Sequence, residues 1–138
     1  MKIKKLVMGS NEKALLAHSL LADKKAQEPV ILDLRGLTLI SDFFVICHGT
    51  SPAHIRGLTD FLLEELEKRG LRRCGLEGYQ DSEWVLADYG DVVVHIFSAE
   101  GRDFYSLERL WGDAPRLTNE GAAPKAPARS SLKRTRDG

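Results

Sequence analysis

Apolar and polar positions are most clearly patterned between residues 84 and 97, where two β-type runs flank a short polar turn. The runs are WVLA and VVVHIF, and the turn between them is DYGD. Asp and Gly tolerate the backbone angles of a tight turn, so this stretch predicts a β-hairpin. The second run is too apolar for a strand with one wet face, which predicts a central strand covered on both faces.

One helix and two strands are predicted before the hairpin. Small and aliphatic residues share one face of residues 14–21, which predicts a helix from Ser10 to about Gln27. Residues 30–35 alternate between two faces, and residues 43–48 form an almost continuous apolar run. Both segments are therefore predicted to be strands of the same sheet.

A second helix is predicted after these strands, with signals at both of its ends. Ser51 can cap its N terminus, and Pro52 fits the first helical position. Gly70 is expected to end the helix in a left-handed conformation. An apolar stripe at helical spacing predicts the buried face. The stripe consists of Ile55, Leu58, Leu62 and Leu66.

A third helix is predicted after the hairpin, beginning near Glu100 and ending at Gly112. The side chains expected to pack between this helix and the sheet are Phe104, Tyr105, Leu107, Leu110 and Trp111. A short edge strand is expected around Leu76. The order α-β-β-α-(β)-β-β-α predicts an α/β (α+β) domain in which a mixed β-sheet packs with helices.

The 138 residues divide into one domain and two short ends. Residues 1–9 are basic and contain a second Met, and we expect an N-terminal extension that is disordered or not native. Residues 10–117 form the predicted domain. Residues 118–138 are basic and poor in apolar side chains, so they cannot offset the entropy of ordering and are predicted to be a disordered tail.

Charge and cysteine content narrow the class of protein. Residues 6–117 carry 12 basic and 18 acidic side chains, a net charge of −6. Such a domain suits a basic protein partner better than a nucleic acid. No run approaches the roughly 18 apolar residues of a membrane span, and no signal peptide is recognisable. Cys47 and Cys74 lack metal or redox spacing, which predicts reduced thiols and a cytoplasmic protein.

The sequence gives little support to a chemical site. The turn at residues 48–54 could hold a phosphate at a helix N terminus, but it lacks the glycine-rich and lysine signatures of nucleotide sites. Nucleotidyl transfer needs two carboxylates on one strand face to bind Mg²⁺, whereas Asp88 and Asp91 lie across a turn. The histidines and cysteines lack zinc-ligand spacing, and no serine has a nucleophile motif. We therefore expect no enzyme, no catalytic residue, no metal and no cofactor.

A protein-binding surface on the hairpin is the remaining hypothesis. Trp84 and Tyr89 are residue types that anchor interfaces, and Asp88 and Asp91 can accept hydrogen bonds from Lys or Arg. Strand alternation places Trp84, Leu86 and Asp88 on one face. A face that ends in a carboxylate is expected to be partly exposed. The alternative, that Trp84 belongs to the core and the carboxylates only solvate a turn, stays open at this point.

The same residues resemble the ribosomal silencing factor RsfS (Iojap) family. The pattern W-x-x-x-D-x-G-D-x-x-V-H begins at Trp84, and the pattern Y-x-L-E-x-L-W begins at Tyr105. DFFVI at residues 42–46, GTS at 49–51 and EG at 77–78 also match, and the resemblance extends over residues 11–117. His48, where small or hydroxyl residues are usual, and the basic tail depart from the family.

The resemblance implies a small mixed-sheet domain similar to the nucleotidyltransferase fold but without its catalytic carboxylates. It also implies binding to ribosomal protein L-fourteen on the large subunit, which sterically blocks joining of the small subunit and represses translation under nutrient limitation. Homologues in organelles act in large-subunit assembly. The partner-facing residues carried over by position are Trp84, Ala87, Asp88, Tyr89 and Asp91.

Several alternatives stay open beside this role. The protein could be an assembly factor for the large subunit that does not block joining, or a nucleotide-dependent enzyme that uses the turn at residues 48–54. A minor contact of the basic tail with ribosomal RNA and a homodimer of the free protein are further hypotheses.

Overall fold

The structure is a computed structural model that describes residues 8–118 and the backbone of residues 121–125. The helices are α1 (Ser10–Asp23), α2 (Pro52–Lys68), α3 (Ala99–Tyr105) and α4 (Leu107–Leu110). The strands are β1 (Gln27–Asp33), β2 (Phe43–Gly49), β3 (Gly75–Glu77), β4 (Trp84–Asp88), β5 (Val92–Ser98), β6 (Pro115–Thr118) and β7 (Gly121–Lys125).

The strands form one mixed sheet in the order β3-β4-β5-β2-β1-β6-β7. β2 and β5 run parallel, and the other paired strands are antiparallel. The predicted hairpin is present, and β5 lies between β4 and β2. Its apolar sequence is explained by this position, because both of its faces are covered. The predicted mixed α/β fold is confirmed.

The two faces of the sheet are covered differently. α1 and α2 pack on one face and form the larger core with the side chains that point towards them. The predicted stripe of α2 is buried there. The opposite face carries a smaller core, which α3, α4 and the following turn cover in part. We call this opposite face the second face, and its buried members are Leu32, Leu34, Phe44, Ile46, Val93, Phe97 and Ala114.

The ends of α2 follow the predicted chemistry. The Ser51 hydroxyl accepts a hydrogen bond from the His54 backbone N–H at 3.0 Å, and Pro52 is the first helical residue. Gly70 follows the helix with a φ of +81°. Ser51 thus satisfies one free N–H group at the N terminus, and the left-handed Gly70 lets the chain leave the helix at its C terminus.

The predictions for the first and third helices need correction. The first helix ends at Asp23 and not near Gln27, because the ladder with β2 begins at Gln27. The third helix is broken at Ser106, which has a φ of +48° and separates α3 from α4. The break turns Phe104 outward, so its predicted packing against the sheet is wrong.

The sheet continues beyond the boundary predicted at residue 117. Leu32 of β1 pairs with Arg116 of β6, and the backbone of β7 pairs with β6. The segment predicted as a tail therefore includes a strand at 121–125. The rest of that tail, and residues 1–7 of the predicted extension, lie outside the described residues. None of the helices in the described ranges is long and apolar enough to cross a membrane.

Candidate protein-binding surface

The register of the β4–β5 hairpin decides which hairpin side chains reach the surface. Trp84 pairs with Phe97, and Leu86 pairs with His95. Val85 and Ala87 point into the larger core and are fully buried. Trp84, Leu86 and Asp88 point to the second face and are partly exposed. The predicted alternation is thus confirmed, and Trp84 is neither fully buried nor free in solvent.

Trp84 is packed between aromatic rings and hydrogen-bonded through its indole. Its Nε1–H donates to Nδ1 of His95 at 3.0 Å. Its ring centroid lies 4.5 Å from that of Tyr105 and 5.2 Å from that of Phe97. Aromatic contacts at these separations add to the energy of burial. The side chain is therefore held in one orientation while part of it faces solvent.

Exposed aromatic surface continues from Trp84 onto α3. Phe104 is 79% exposed, and its ring lies 5.0 Å from that of Tyr105. We call Trp84, Phe104 and Tyr105 the aromatic patch. Leu110 on α4 is also 70% exposed. The sequence pattern predicts that Phe104 and Leu110 face inward, and this prediction is wrong. No local sequence signal indicates that Ser106 adopts a left-handed conformation and breaks the helix.

A buried arginine fixes α3 and α4 to the sheet. The Arg102 guanidinium donates to both carboxylate oxygens of Glu108 at 3.0 and 2.9 Å, and to the Gln27 carbonyl at 3.1 Å. It also lies 3.0 Å from Nδ1 of His48. Burial alone would raise the pKa of Glu108, but the hydrogen bonds and charge of Arg102 lower it. The network holds the helical segment that carries most of the aromatic patch.

The turn at the end of the hairpin is acidic and tightly held. Asp88 accepts a hydrogen bond from the Gly90 backbone N–H at 2.8 Å, and Asp91 forms a 2.7 Å ion pair with Lys13 of α1. Tyr89 is only 6% exposed, and burial raises the pKa of its hydroxyl. Ala87 and Tyr89 both belong to the larger core. The structure thus leaves Trp84, Asp88 and Asp91 at the surface, and it corrects Ala87 and Tyr89 to core positions.

The glycine at residue 78 keeps the start of β4 in place. Gly78 has a φ of +79°, and a Cβ added there would lie 2.0 Å from the Trp84 carbonyl oxygen. Only glycine lets the preceding segment pass this close to the backbone of Trp84. The EG pair at residues 77–78 therefore serves the placement of the aromatic patch.

The turn before α2 has its polar groups committed to structure. Thr50 N–H donates to Nδ1 of His54 at 2.9 Å, and the His54 and Ile55 N–H groups bond to Ser51. A Cβ added at Gly49 would meet Ile55 Cγ1 at 2.7 Å, so this glycine allows close packing of the turn. These contacts account for the residues that had suggested a phosphate site.

The candidate metal and thiol groups show no assembled site either. Within the described ranges, no three His, Cys, Asp or Glu side chains are grouped to hold a metal ion. Cys47 is buried, and burial raises the pKa of its thiol to about 12, which makes the thiolate scarce. Cys74 is exposed and unpaired with another cysteine.

Comparison with known proteins identifies the family. The family model described as ribosomal silencing factor during starvation (RsfS) matches residues 7–137. A ribosomal silencing factor RsfS of Halalkalibacterium halodurans is 44% identical over 114 residues, which cover 83% of this chain and 97% of that protein. A mouse protein named mitochondrial assembly of ribosomal large subunit protein 1 is 30% identical over 96 residues. The match covers 67% of this chain and 42% of the mouse protein.

A solved structure shares the fold. A Chromobacterium violaceum protein of known crystal structure is 35% identical in sequence to this chain. The two structures match with a TM-score of 0.74, and the match covers 76% of this chain and 88% of that protein. Sequence and structure therefore agree, and the chain belongs to the ribosomal silencing factor (RsfS) family.

Proposed function

We propose that this protein binds ribosomal protein L-fourteen on the large ribosomal subunit in the cytoplasm and represses translation by sterically blocking the small subunit. The observation that carries the proposal is the aromatic patch on the second face, at the end of the hairpin opposite its acidic turn. The names of the relatives support a ribosomal role. In this proposal the protein acts by occupying a surface and not by catalysis.

The aromatic patch has the physical properties of a protein-binding anchor. Large aromatic side chains dominate interface energies when they enter a desolvated pocket. Phe104 is mostly exposed and Trp84 is pre-oriented, so binding would remove apolar surface from water at little cost in side-chain ordering. Exposed carboxylates border the patch at Glu83 and Asp103. A partner with an apolar recess and basic side chains around it would be complementary.

The proposal predicts that Trp84→Ala loses binding to large subunits while the domain stays folded. Removing an anchor of this kind typically weakens binding by about 2 kcal/mol or more, roughly thirtyfold. Co-sedimentation with purified large and small subunits measures binding, and circular dichroism checks the fold. Tyr79→Ala is the matched control, since Tyr79 bonds to Asp60 of α2, away from the second face. A folded Trp84→Ala variant that still co-sediments like the wild type would show that the proposed site is wrong.

An assembly role is the second candidate, favoured by the name of the mouse relative. An assembly factor would bind large-subunit precursors without preventing the small subunit from joining. A subunit-joining assay with added protein separates the two roles. Blocked joining supports silencing, and unimpaired joining by saturated large subunits supports assembly.

A nucleotide-dependent enzyme is the remaining alternative. A ligand that binds the folded state raises the melting temperature. We expect no shift with nucleoside triphosphates and Mg²⁺, because the turn before α2 is committed to structural hydrogen bonds. A concentration-dependent rise would favour the enzyme.

A further inference from the structure

The indole of Trp84 is hydrogen-bonded to His95, a buried residue on the neighbouring strand β5. His95 pairs directly with Leu86, so Trp84 reaches it diagonally across the hairpin. The hydrogen bond from Trp84 Nε1 to His95 Nδ1 is 3.0 Å long. The imidazole is 3% exposed and packs edge-on against Phe44, with ring centroids 4.4 Å apart.

Only one ring nitrogen of His95 has a hydrogen-bond partner among the described residues, and that partner is the indole of Trp84. An indole N–H can only donate, so Nδ1 must accept and the imidazole carries its proton on Nε2. Nε2 is buried without a hydrogen-bond partner among the described residues. A buried unsatisfied group costs free energy, so packing alone would be better served by an apolar side chain. In the described part of the chain, the polar contact that His95 makes is with Trp84.

The hydrogen bond also determines what Trp84 offers to a partner. Its N–H donates a hydrogen bond to His95 inside the protein, and its ring packs against Tyr105 with ring centroids 4.5 Å apart. The part that faces outward is therefore carbon surface. A partner gains from this surface by apolar contact and not by accepting a hydrogen bond from the indole.

We propose that His95 is a positioning residue for partner binding, which fixes the orientation of the Trp84 indole and leaves only its apolar surface for the partner. This role rests on the proposed function, in which Trp84 is the anchor. The partner's matching feature is an apolar recess, with basic side chains opposite the neighbouring carboxylates.

Two substitutions in the full-length chain separate the hydrogen bond from packing. His95→Phe keeps an aromatic ring but has no acceptor, whereas His95→Asn keeps an oxygen close to the position of Nδ1. The indole N–H resonance of Trp84 in ¹⁵N NMR spectra, assigned with a Trp111→Phe variant, reports the bond through its exchange with solvent. We expect slow exchange in the wild type and in His95→Asn, and fast exchange in His95→Phe. Binding to purified large subunits should weaken about fivefold in His95→Phe and recover in His95→Asn.

The outcomes distinguish this role from the proposed function. Unchanged binding by Trp84→Ala would overturn the proposed function and this role with it. Lost binding by Trp84→Ala together with full binding by His95→Phe would overturn only the role of His95. Should His95→Phe fail to fold, His95→Leu carries the test, since it also lacks an acceptor. Binding by His95→Leu at wild-type strength would then contradict the proposal, and weakened binding together with fast exchange of the indole N–H would support it.

Discussion

His95 makes the stability of the fold depend on pH. Burial lowers the pKa of its imidazole from 6.5 to about 3. The unfolded chain therefore takes up a proton on this residue before the folded chain does as the pH falls. The stabilisation that neutral His95 provides is complete above pH 6.5 and is lost progressively between pH 6.5 and about 3. Burial and the charge of Arg102 lower the pKa of His48 as well, so both histidines make the fold less stable as the pH falls.

We expect the free energy of unfolding to be about 2 kcal/mol lower at pH 5 than at pH 7 because of His95. Above pH 5 the carboxylates with lowered pKa values, Asp33, Glu65 and Glu108, contribute little to this change. Urea unfolding at several pH values measures it. The His95→Asn variant is the control, and its stability should fall less over the same range. If the free energy of unfolding changed equally with pH in the wild type and in His95→Asn, this explanation would be contradicted.

At the scale of elements, α3 and α4 hold the aromatic patch through one ionic network. Two short helices of seven and four residues are too short to be stable alone. The Arg102 guanidinium joins them to each other through Glu108 and to β1 through Gln27. The position of Tyr105 against Trp84 thus depends on the Arg102 side chain, whose hydrogen-bond partners are Glu108, Gln27 and His48.

Arg102→Met should therefore destabilise the domain by about 3 kcal/mol, because it leaves the half-buried Glu108 carboxylate without its partner. Arg69→Met is the matched control. Arg69, just after α2, forms a surface ion pair with Glu65 of that helix, and we expect a much smaller loss when it is broken. Chemical unfolding measures both variants. A similar small loss in both would mean that the Arg102 network contributes no more than a surface pair.

At the scale of the whole molecule, the charge distribution separates an acidic domain from basic ends. The net charge of −6 over residues 6–117 contrasts with the basic side chains beyond residue 125. The acidic part suits the basic protein partner that we propose. The basic segment is the part of the chain suited to ribosomal RNA, since phosphate binding depends on Lys and Arg.

Ending the chain after Lys125 should reduce the salt dependence of binding to large subunits. Each phosphate contact that is lost changes the slope of log K against log salt by about 0.9. The end point at Lys125 retains β7, which a chain ending at residue 117 would remove. An unchanged melting temperature is the control for an intact fold. Identical slopes for both chains would show that the basic segment makes no contact with RNA.

Much of the fold follows from the sequence alone. The hairpin, the buried β5, both ends of α2 and the alternation that brings Trp84 to the second face were all predicted from local patterns and are present. These features depend on periodicity, capping and turn chemistry, which act between residues close in the chain. The RsfS family could likewise be identified from residue patterns, and the comparisons confirm it.

Only the tertiary structure decided which of the candidate residues reach the surface. Tyr89 sits in a polar turn yet packs into the larger core, and Phe104 looks like a core residue yet is exposed because Ser106 breaks the helix. The bond between Trp84 and His95 and the network of Arg102 join residues from different elements. Burial and long-range pairing depend on how the whole chain packs, so no local pattern can encode them.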